Sequence, residues 1–237
     1  MLNNYFISNK IFKILSYTIA ILSRILYNIC DKEDNMDRLT YYQQICNRIN
    51  IYPEGSVFII ADFLDIANQA TIRQTLNRLI AHKEIARVMR GVYHKPKYNS
   101  FLGEFIAPHP DAVAHAIARN YGWTIVPCGE TALNLLGLST QVPSVWSYVS
   151  DGLYREYGYK KVQIIFKRTM NRQITIVSYK TALVIQALRA LGMENITQLD
   201  IDRIRFKLNY DEKQRMLMEA KFVPSWIYEI IREICVR

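Results

Sequence analysis

Side chains able to read or grip a nucleic acid are concentrated in one short stretch of this sequence. Between residues 66 and 98 it carries seven lysines and arginines, Arg73, Arg78, Lys83, Arg87, Arg90, Lys95 and Lys97, against one acid, Glu84. Clusters of this density bind phosphate backbones by releasing condensed counterions. Thr71, Arg73, Gln74, Asn77 and Arg78 fall together on the polar side of one helical period. Arginine, glutamine and asparagine are the side chains that contact guanine and adenine edges in pairs of hydrogen bonds in the major groove. Arg87, Arg90, Lys95 and Lys97 suit phosphates or a minor groove. Exposed side chains of these types are also the ordinary makeup of a solvated helix face, and Arg78 has a structural use open to it through Asp62 or Asp65. The setting of the residues therefore decides their chemistry.

That setting is a characteristic order of elements. Leu39, Tyr42, Cys46 and Ile49 recur at steps of three and four, the stripe of an amphipathic helix. Pro53 and Gly55 break the chain, and residues 56–58 are extended in character. Residues 60–64 read as a short helix and 66–68 as a turn. Asn68 is placed to cap the next helix, 69–82, by accepting from an orphan backbone N–H. Ile72, Leu76, Leu79 and Ile80 form its buried face. The strand formers Ile85, Val88, Val92 and Tyr93 then flank Arg90-Gly91, a hairpin turn, and Pro96 closes the second strand. Helix, strand, short helix, polar-faced helix and basic hairpin in this order predict a winged helix-turn-helix over residues 36–98, with 69–82 as recognition helix and the hairpin as wing. Modules of this kind also serve as protein-docking domains.

Residues 99–237 read as a second, mixed α+β domain that ends in helices. Residues 98–100 are a linker. A helix over 110–121, a strand over 123–127, a short helix over 130–136, strands over 146–150, 162–166 and 174–177, and a helix over 181–191 stopped by Gly192 are expected. Helices over 196–208, 212–220 and 224–236 follow. Lys160, Lys161, Lys167, Arg168 and Arg172 form a second basic group, read chiefly as the wet face of a sheet and alternatively as an extension of a nucleic-acid surface.

The 237 residues, half of them hydrophobic, suffice for one or two cores, and the net charge of +9 suits an anionic partner without requiring one. Cys30, Cys46, Cys128 and Cys235 form no CxxC pair, so free thiols in a reducing cytoplasm are expected. His82, His94, His109 and His115 are dispersed, and neither a metal nor another cofactor is expected. P-loop, GxGxxG, HExxH and GxSxG patterns are absent. Asp151, Glu156 and Lys160 lack the spacing of a nuclease core and read as a solvated loop; Ser139, Thr140 and Gln141 read as a turn. No catalytic residue is assigned, and the chain is not read as an enzyme. Residues 11–30 are apolar but interrupted by Lys13, Ser16, Ser23, Arg24 and Asn28, so a membrane span is not expected there. Met36 is read as the natural start, with 1–35 an upstream extension; a loosely attached helix is the first alternative and a membrane anchor the second.

Three runs of residues point to a family. Residues 70–79 (ATIRQTLNRL), 85–93 (IARVMRGVY) and 127–143 (PCGETALNLLGLSTQVP) resemble the AbiEi-like antitoxins over roughly residues 36 to 210. These are the regulator halves of abortive-infection, type IV toxin–antitoxin operons. The resemblance implies a winged helix that represses its own promoter and a C-terminal domain required for antitoxicity. It also implies a functional partner, a nucleotidyltransferase-like toxin countered without necessarily forming a stable complex. DNA contact is carried onto Arg73, Gln74, Asn77 and the wing residues. The alternative is a stand-alone regulator whose C-terminal domain senses a ligand or dimerises; a nuclease is a third reading, with no constellation to support it.

Overall fold

The computed structural model describes residues 39–169 and 174–236. The expected extension 1–35, the start at Met36, Cys30 and Arg172 lie outside the described residues. The chain divides into two compact units, Met1–Gln44 and Ile45–Arg237. In the first unit, the described residues open helix α1 (Tyr41–Ile51). Thr40 and Gln43 cap it reciprocally, each side chain accepting from the other's backbone N–H at 3.3 and 2.8 Å.

The second unit is mixed α+β. It contains the rest of α1, then β1 (Val57–Ile59), a 3-10 turn (Ile60–Phe63), α2 (Gln69–Ala81), β2 (Ala86–Met89) and β3 (Val92–His94). The strands form one antiparallel sheet in the order β1-β3-β2. Asn68 caps α2 by accepting from the Thr71 N–H at 3.0 Å. Ile72, Thr75, Leu76 and Leu79 are its buried residues, while Ile80 is only half-buried. Gly91 takes φ +81° at the tip of the β2–β3 hairpin, a conformation that costs glycine little. Phe58 lies edge-on to Phe63, ring centroids 5.7 Å apart, and stacks on Tyr93 at 6.2 Å, which fixes the sheet on the 3-10 turn.

A second hairpin follows, β4 (Lys97–Asn99) and β5 (Glu104–Ile106), where a linker was expected. Its turn is set by Asn99, whose side-chain oxygen accepts from the N–H groups of Phe101 and Leu102. Helix α3 (Pro110–Tyr121) begins at the N-cap His109 and stops at Gly122, which takes φ 68°. Next come β6 (Ile125–Pro127), α4 (Glu130–Leu135), β7 (Val145–Ser150), β8 (Arg155–Tyr159) and β9 (Val162–Arg168). These strands make a sheet ordered β6-β7-β9-β8, with β7 and β9 parallel at its centre and the other pairs antiparallel. Trp146, Tyr148, Ile164 and Phe166 bury one face in a cluster with Val113, Ala114 and Ile117 of α3. Ile59 and Val92, from the first sheet, belong to the same cluster.

The chain ends in α5 (Tyr179–Leu191), α6 (Gln198–Phe206), α7 (Tyr210–Glu219) and α8 (Ser225–Val236). Eight successive residues of α5, from Thr181 to Leu188, are buried, as a helix enclosed on all sides must be. Its N-terminus is held by Glu219, which accepts from both the N–H and the hydroxyl of Ser178.

Three sequence expectations need correction. Residues 174–177 are turns and bends, not a strand: Ile174 is buried but Ile176 is 62% exposed, and the segment pairs with nothing in the sheets. Residues 155–159 are a strand rather than a solvated loop; β8 is an edge strand whose exposed Arg155 and Glu156 masked the inward Tyr159. In α1 the buried pair is Ile45 and Ile49, so the apolar stripe is rotated away from Leu39, which is exposed.

Gly152, just after β7, lies against Trp123: a Cβ built there would sit 2.2 Å from the indole. The indole is itself stacked on Tyr121 at 4.6 Å and edge-on to Phe166 at 5.7 Å, so it has little room to retreat. Gly152→Ala is expected to destabilise the protein by about 1–3 kcal/mol in a denaturant titration; wild-type stability would show that the indole moves aside.

Candidate nucleic-acid interface

The sequence-selected polar residues of α2 share a surface. Arg73, Gln74, Asn77 and Arg78 are exposed, with Arg73 above Asn77 and Gln74 above Arg78 at the i, i+4 spacing of neighbours on a helix. Thr71 is half-buried at the first turn, where its N–H is used by the Asn68 cap. On the hairpin, Arg90 is exposed at the tip and Arg87 is exposed on β2, its guanidinium 5.7 Å from the centre of the Tyr93 ring. Lys97 is exposed on β4.

Lys95 serves a different purpose. Its ammonium donates to the carbonyl oxygens of Asn50 and Tyr52, at 2.9 and 2.8 Å. A cation at the C-terminal end of α1 satisfies carbonyls that the helix leaves without partners. Lys95 therefore ties the strand end to α1, and its ammonium is engaged within the fold.

Two arginines that sequence reasoning passed over hold the approach to α2. Arg48 makes a two-pronged pair with Asp65, both contacts at 2.6 Å, and donates to the Asp62 carbonyl at 3.0 Å. Hydrogen bonding from Arg48 keeps the Asp65 carboxyl below the usual carboxylate range. The Asp62 side chain accepts from the Ile59 N–H at 2.9 Å and pairs with Arg119 of α3 at 3.2 Å. Asp62 and Asp65 thus hold Arg48 and Arg119. Both cations come from distant parts of the chain, so local spacing carried no signal of them.

His94 is buried on β3, and its Nδ1 has no hydrogen-bond partner. Burial, reinforced by the charge of Lys160, holds its pKa below the ordinary 6.5. Lys160, Lys161, Lys167 and Arg168 of the second basic group are all exposed. Cys128 and Cys235 are buried free thiols, pushed up by that burial, and Cys46 is half-buried. No group of three or more His, Cys, Asp or Glu residues that could hold a metal ion occurs among the described residues. No helix among them is long and apolar enough to cross a membrane.

The run at residues 129–143 is an element of the fold. Gly129 and Gly137 take φ +58° and +68° at the two ends of α4. The buried Thr131 hydroxyl accepts from the Ser147 N–H at 2.8 Å, joining α4 to β7. Asn134 donates to the Gln141 carbonyl at 2.8 Å and closes the loop.

The chain belongs to the family described as "Family of unknown function (DUF6088)", whose model matches residues 44–216. A comparison with curated proteins finds no match. Among solved structures, the crystal structure of the RV2827C protein from Mycobacterium tuberculosis is similar to 85% of this chain and 78% of its own, at 11% identity and a TM-score of 0.36. That likeness is too loose to carry an argument.

Two outcomes are expected from this geometry. Lys95→Ala should cost about 1 kcal/mol of stability and leave the salt dependence of any DNA binding unchanged; a flattened salt dependence would return Lys95 to the interface. Burial holds the His94 pKa below the ordinary 6.5 that its imidazole keeps in the unfolded chain, so unfolding is favoured by proton uptake. Its contribution is complete above that value and is lost as the pH falls below it. His94→Gln should remove that part of the pH dependence in parallel thermal melts between about pH 5 and 7.

Proposed function

We propose that residues 41–94 form a winged helix-turn-helix that binds double-stranded DNA, and that the protein is the autorepressor and antitoxin of a type IV toxin–antitoxin system. In this reading it acts in the cytoplasm on its own promoter and counters a nucleotidyltransferase-like toxin. The observation that carries the DNA-binding half is the surface of α2. It follows a short 3-10 turn, buries Ile72, Leu76 and Leu79, and leaves Arg73, Gln74, Asn77 and Arg78 exposed together. The order β1-β3-β2 with a two-residue turn at Arg90 and Gly91 is the companion feature, since a wing presents cations beside a recognition helix. The antitoxin half rests on the resemblance of residues 70–79, 85–93 and 127–143 to the AbiEi-like proteins.

A stand-alone regulator that dimerises is the second reading. It is favoured by the β4–β5 hairpin, where Phe101 is 94% exposed and Leu102 and Phe105 are also open to solvent. Toxin co-expression separates the two: rescue of growth supports the antitoxin, and no rescue supports the regulator.

The DNA-binding test is a titration of the protein against DNA upstream of its own gene and against scrambled DNA, at two salt concentrations. Specific, salt-sensitive binding is expected. Asn77→Ala or Gln74→Ala should cost about 1–3 kcal/mol on the specific duplex only. Arg90→Ala should weaken binding to both duplexes and flatten the salt dependence. Equal affinity for scrambled DNA would replace the repressor by a protein-docking module, and an unaffected Asn77→Ala would mean that another face of α2 is used.

A further inference from the structure

One face of the second sheet carries the buried Trp146, Tyr148 and Ser150 of β7. The register sets Phe166 and Arg168 of β9 opposite Tyr148 and Ser150, on that same face. Arg155 of β8 stands opposite Phe166 and so shares it. Arg155 and Arg168 are therefore diagonal neighbours across an antiparallel pair, about 7–8 Å apart. Both are exposed, and neither has an ion-pair partner among the described residues.

Two aromatic side chains meet Arg155 there. Tyr121 is the last residue of α3, and Trp123 follows the Gly122 stop. Their rings are stacked, with centroids 4.6 Å apart and planes 20° apart. The Arg155 guanidinium lies 4.9 Å from the centre of the Tyr121 ring and 5.9 Å from that of Trp123. It also donates to the Tyr121 hydroxyl at 3.3 Å. Gly152 lies against the indole with no room for a Cβ, which holds the indole in place. Tyr121 nonetheless keeps 42% of its surface exposed. The neighbouring acids are engaged elsewhere. Glu156 is on the opposite face of β8, where it accepts from Tyr154 and Gln163, and Asp151 accepts from the Thr124 N–H at 2.9 Å. Glu156 is also the one acid of the β8–β9 hairpin, against Arg155, Lys160, Lys161, Lys167 and Arg168.

We propose that Tyr121, Trp123, Arg155 and Arg168 form a binding site for single-stranded nucleic acid, in which an unpaired base stacks on Tyr121 and Arg155 and a flanking phosphate meets Arg168. Aromatic rings and guanidinium planes accept the face of any base, and a cation beside them takes the phosphate that accompanies it. A duplex keeps its bases stacked on one another, so the site selects strands whose bases are free. Pinning the edge strand β8 to the end of α3 would account for Arg155 alone. Arg168 has no part in that, since it makes no contact with a ring or a carboxylate among the described residues. The site shares no residue with the α2 face and does not depend on the duplex-binding reading.

The test uses the full chain in fluorescence anisotropy titrations over a range of salt, with labelled single strands of equal length: oligoadenylate, oligodeoxyadenylate and an abasic sugar-phosphate strand. At least one adenine strand should bind about fivefold or more tightly than the abasic one, and a preference for the ribose strand would identify RNA as the source. Arg155→Lys keeps the charge and loses the plane. It should keep the wild-type melting temperature and salt slope while bringing the adenine strands down to the abasic affinity. Arg168→Gln should weaken all three strands and lower the log–log salt slope by about 0.7. Asn77→Ala should leave the preference for adenine intact. If the wild type binds adenine and abasic strands alike, or if Arg155→Lys keeps the preference, no base stacks at this site and the proposal is wrong, whatever the duplex titrations show. Loss of the preference in Asn77→Ala would place the strand on α2 and overturn it as well.

Discussion

Helix α3 is shared by two sheets, and the placement of the candidate reading helix follows from that. Val113, Ala114 and Ile117 belong to the apolar cluster of Trp146, Tyr148 and Phe166, in which Ile59 and Val92 of the first sheet are also buried. Alanines at 114, 116 and 118 keep this helix slim where it is enclosed. Near its last turn Arg119 reaches Asp62, the residue whose carboxylate also caps the 3-10 turn ahead of α2. Arg48 holds that turn as well, through the Asp62 carbonyl and the Asp65 carboxylate. The entry to α2 is therefore clamped by α1 and α3 together. None of these partially exposed ion pairs contributes much stability by itself; their effect is to fix where the turn, and with it α2, begins.

The same side-chain types carry two kinds of work here. Arg48, Arg119 and Lys95 each pair with a carboxylate or a set of backbone carbonyls within the fold. Among the described residues Arg73, Arg90 and Lys160 meet no such requirement, and they stand in solvent. A long cation is cheap to expose and costly to bury unpaired, so the distinction is set by what lies within its reach after folding. Lys95 shows the difference most clearly. It stands among the hairpin cations in sequence, yet its ammonium is turned to the carbonyls at the end of α1.

This distinction also marks how far the sequence could be read. The helices α2, α3 and α5 were legible because caps and stops bracket a clear apolar period: Asn68, Pro110 with Gly122, and Gly192. The β2–β3 hairpin was legible because Gly91 sits between two runs of strand formers. Strand β8 was not, since an edge strand needs an apolar side chain only where it turns inward, and here that is chiefly Tyr159. The β4–β5 hairpin was hidden for a related reason: its apolar side chains are exposed and show no burial pattern to detect. Of the candidate site, the polar face of α2 followed from helical geometry alone. The roles of Arg48, Lys95 and Arg119 did not, because each depends on a contact made far away in the sequence.

Burial of the first sheet is where these threads join. Ile59 and Val92 are 1% and 3% exposed, and the cluster that covers them is supplied mainly by α3 and the second sheet. Fully burying two aliphatic side chains is worth about 3–6 kcal/mol, a large share of the roughly 5–15 kcal/mol that keeps an ordinary domain folded. The sheet that carries the basic hairpin thus depends on residues beyond 109 for much of its stability. Coupling of this kind runs in both directions, since a contact that favours one arrangement of α3 must favour the arrangement of β1 and β3 that fits it. A partner engaging the second sheet or α3 has a physical route to β1 and β3 through this shared core, with no need for a contact near α2.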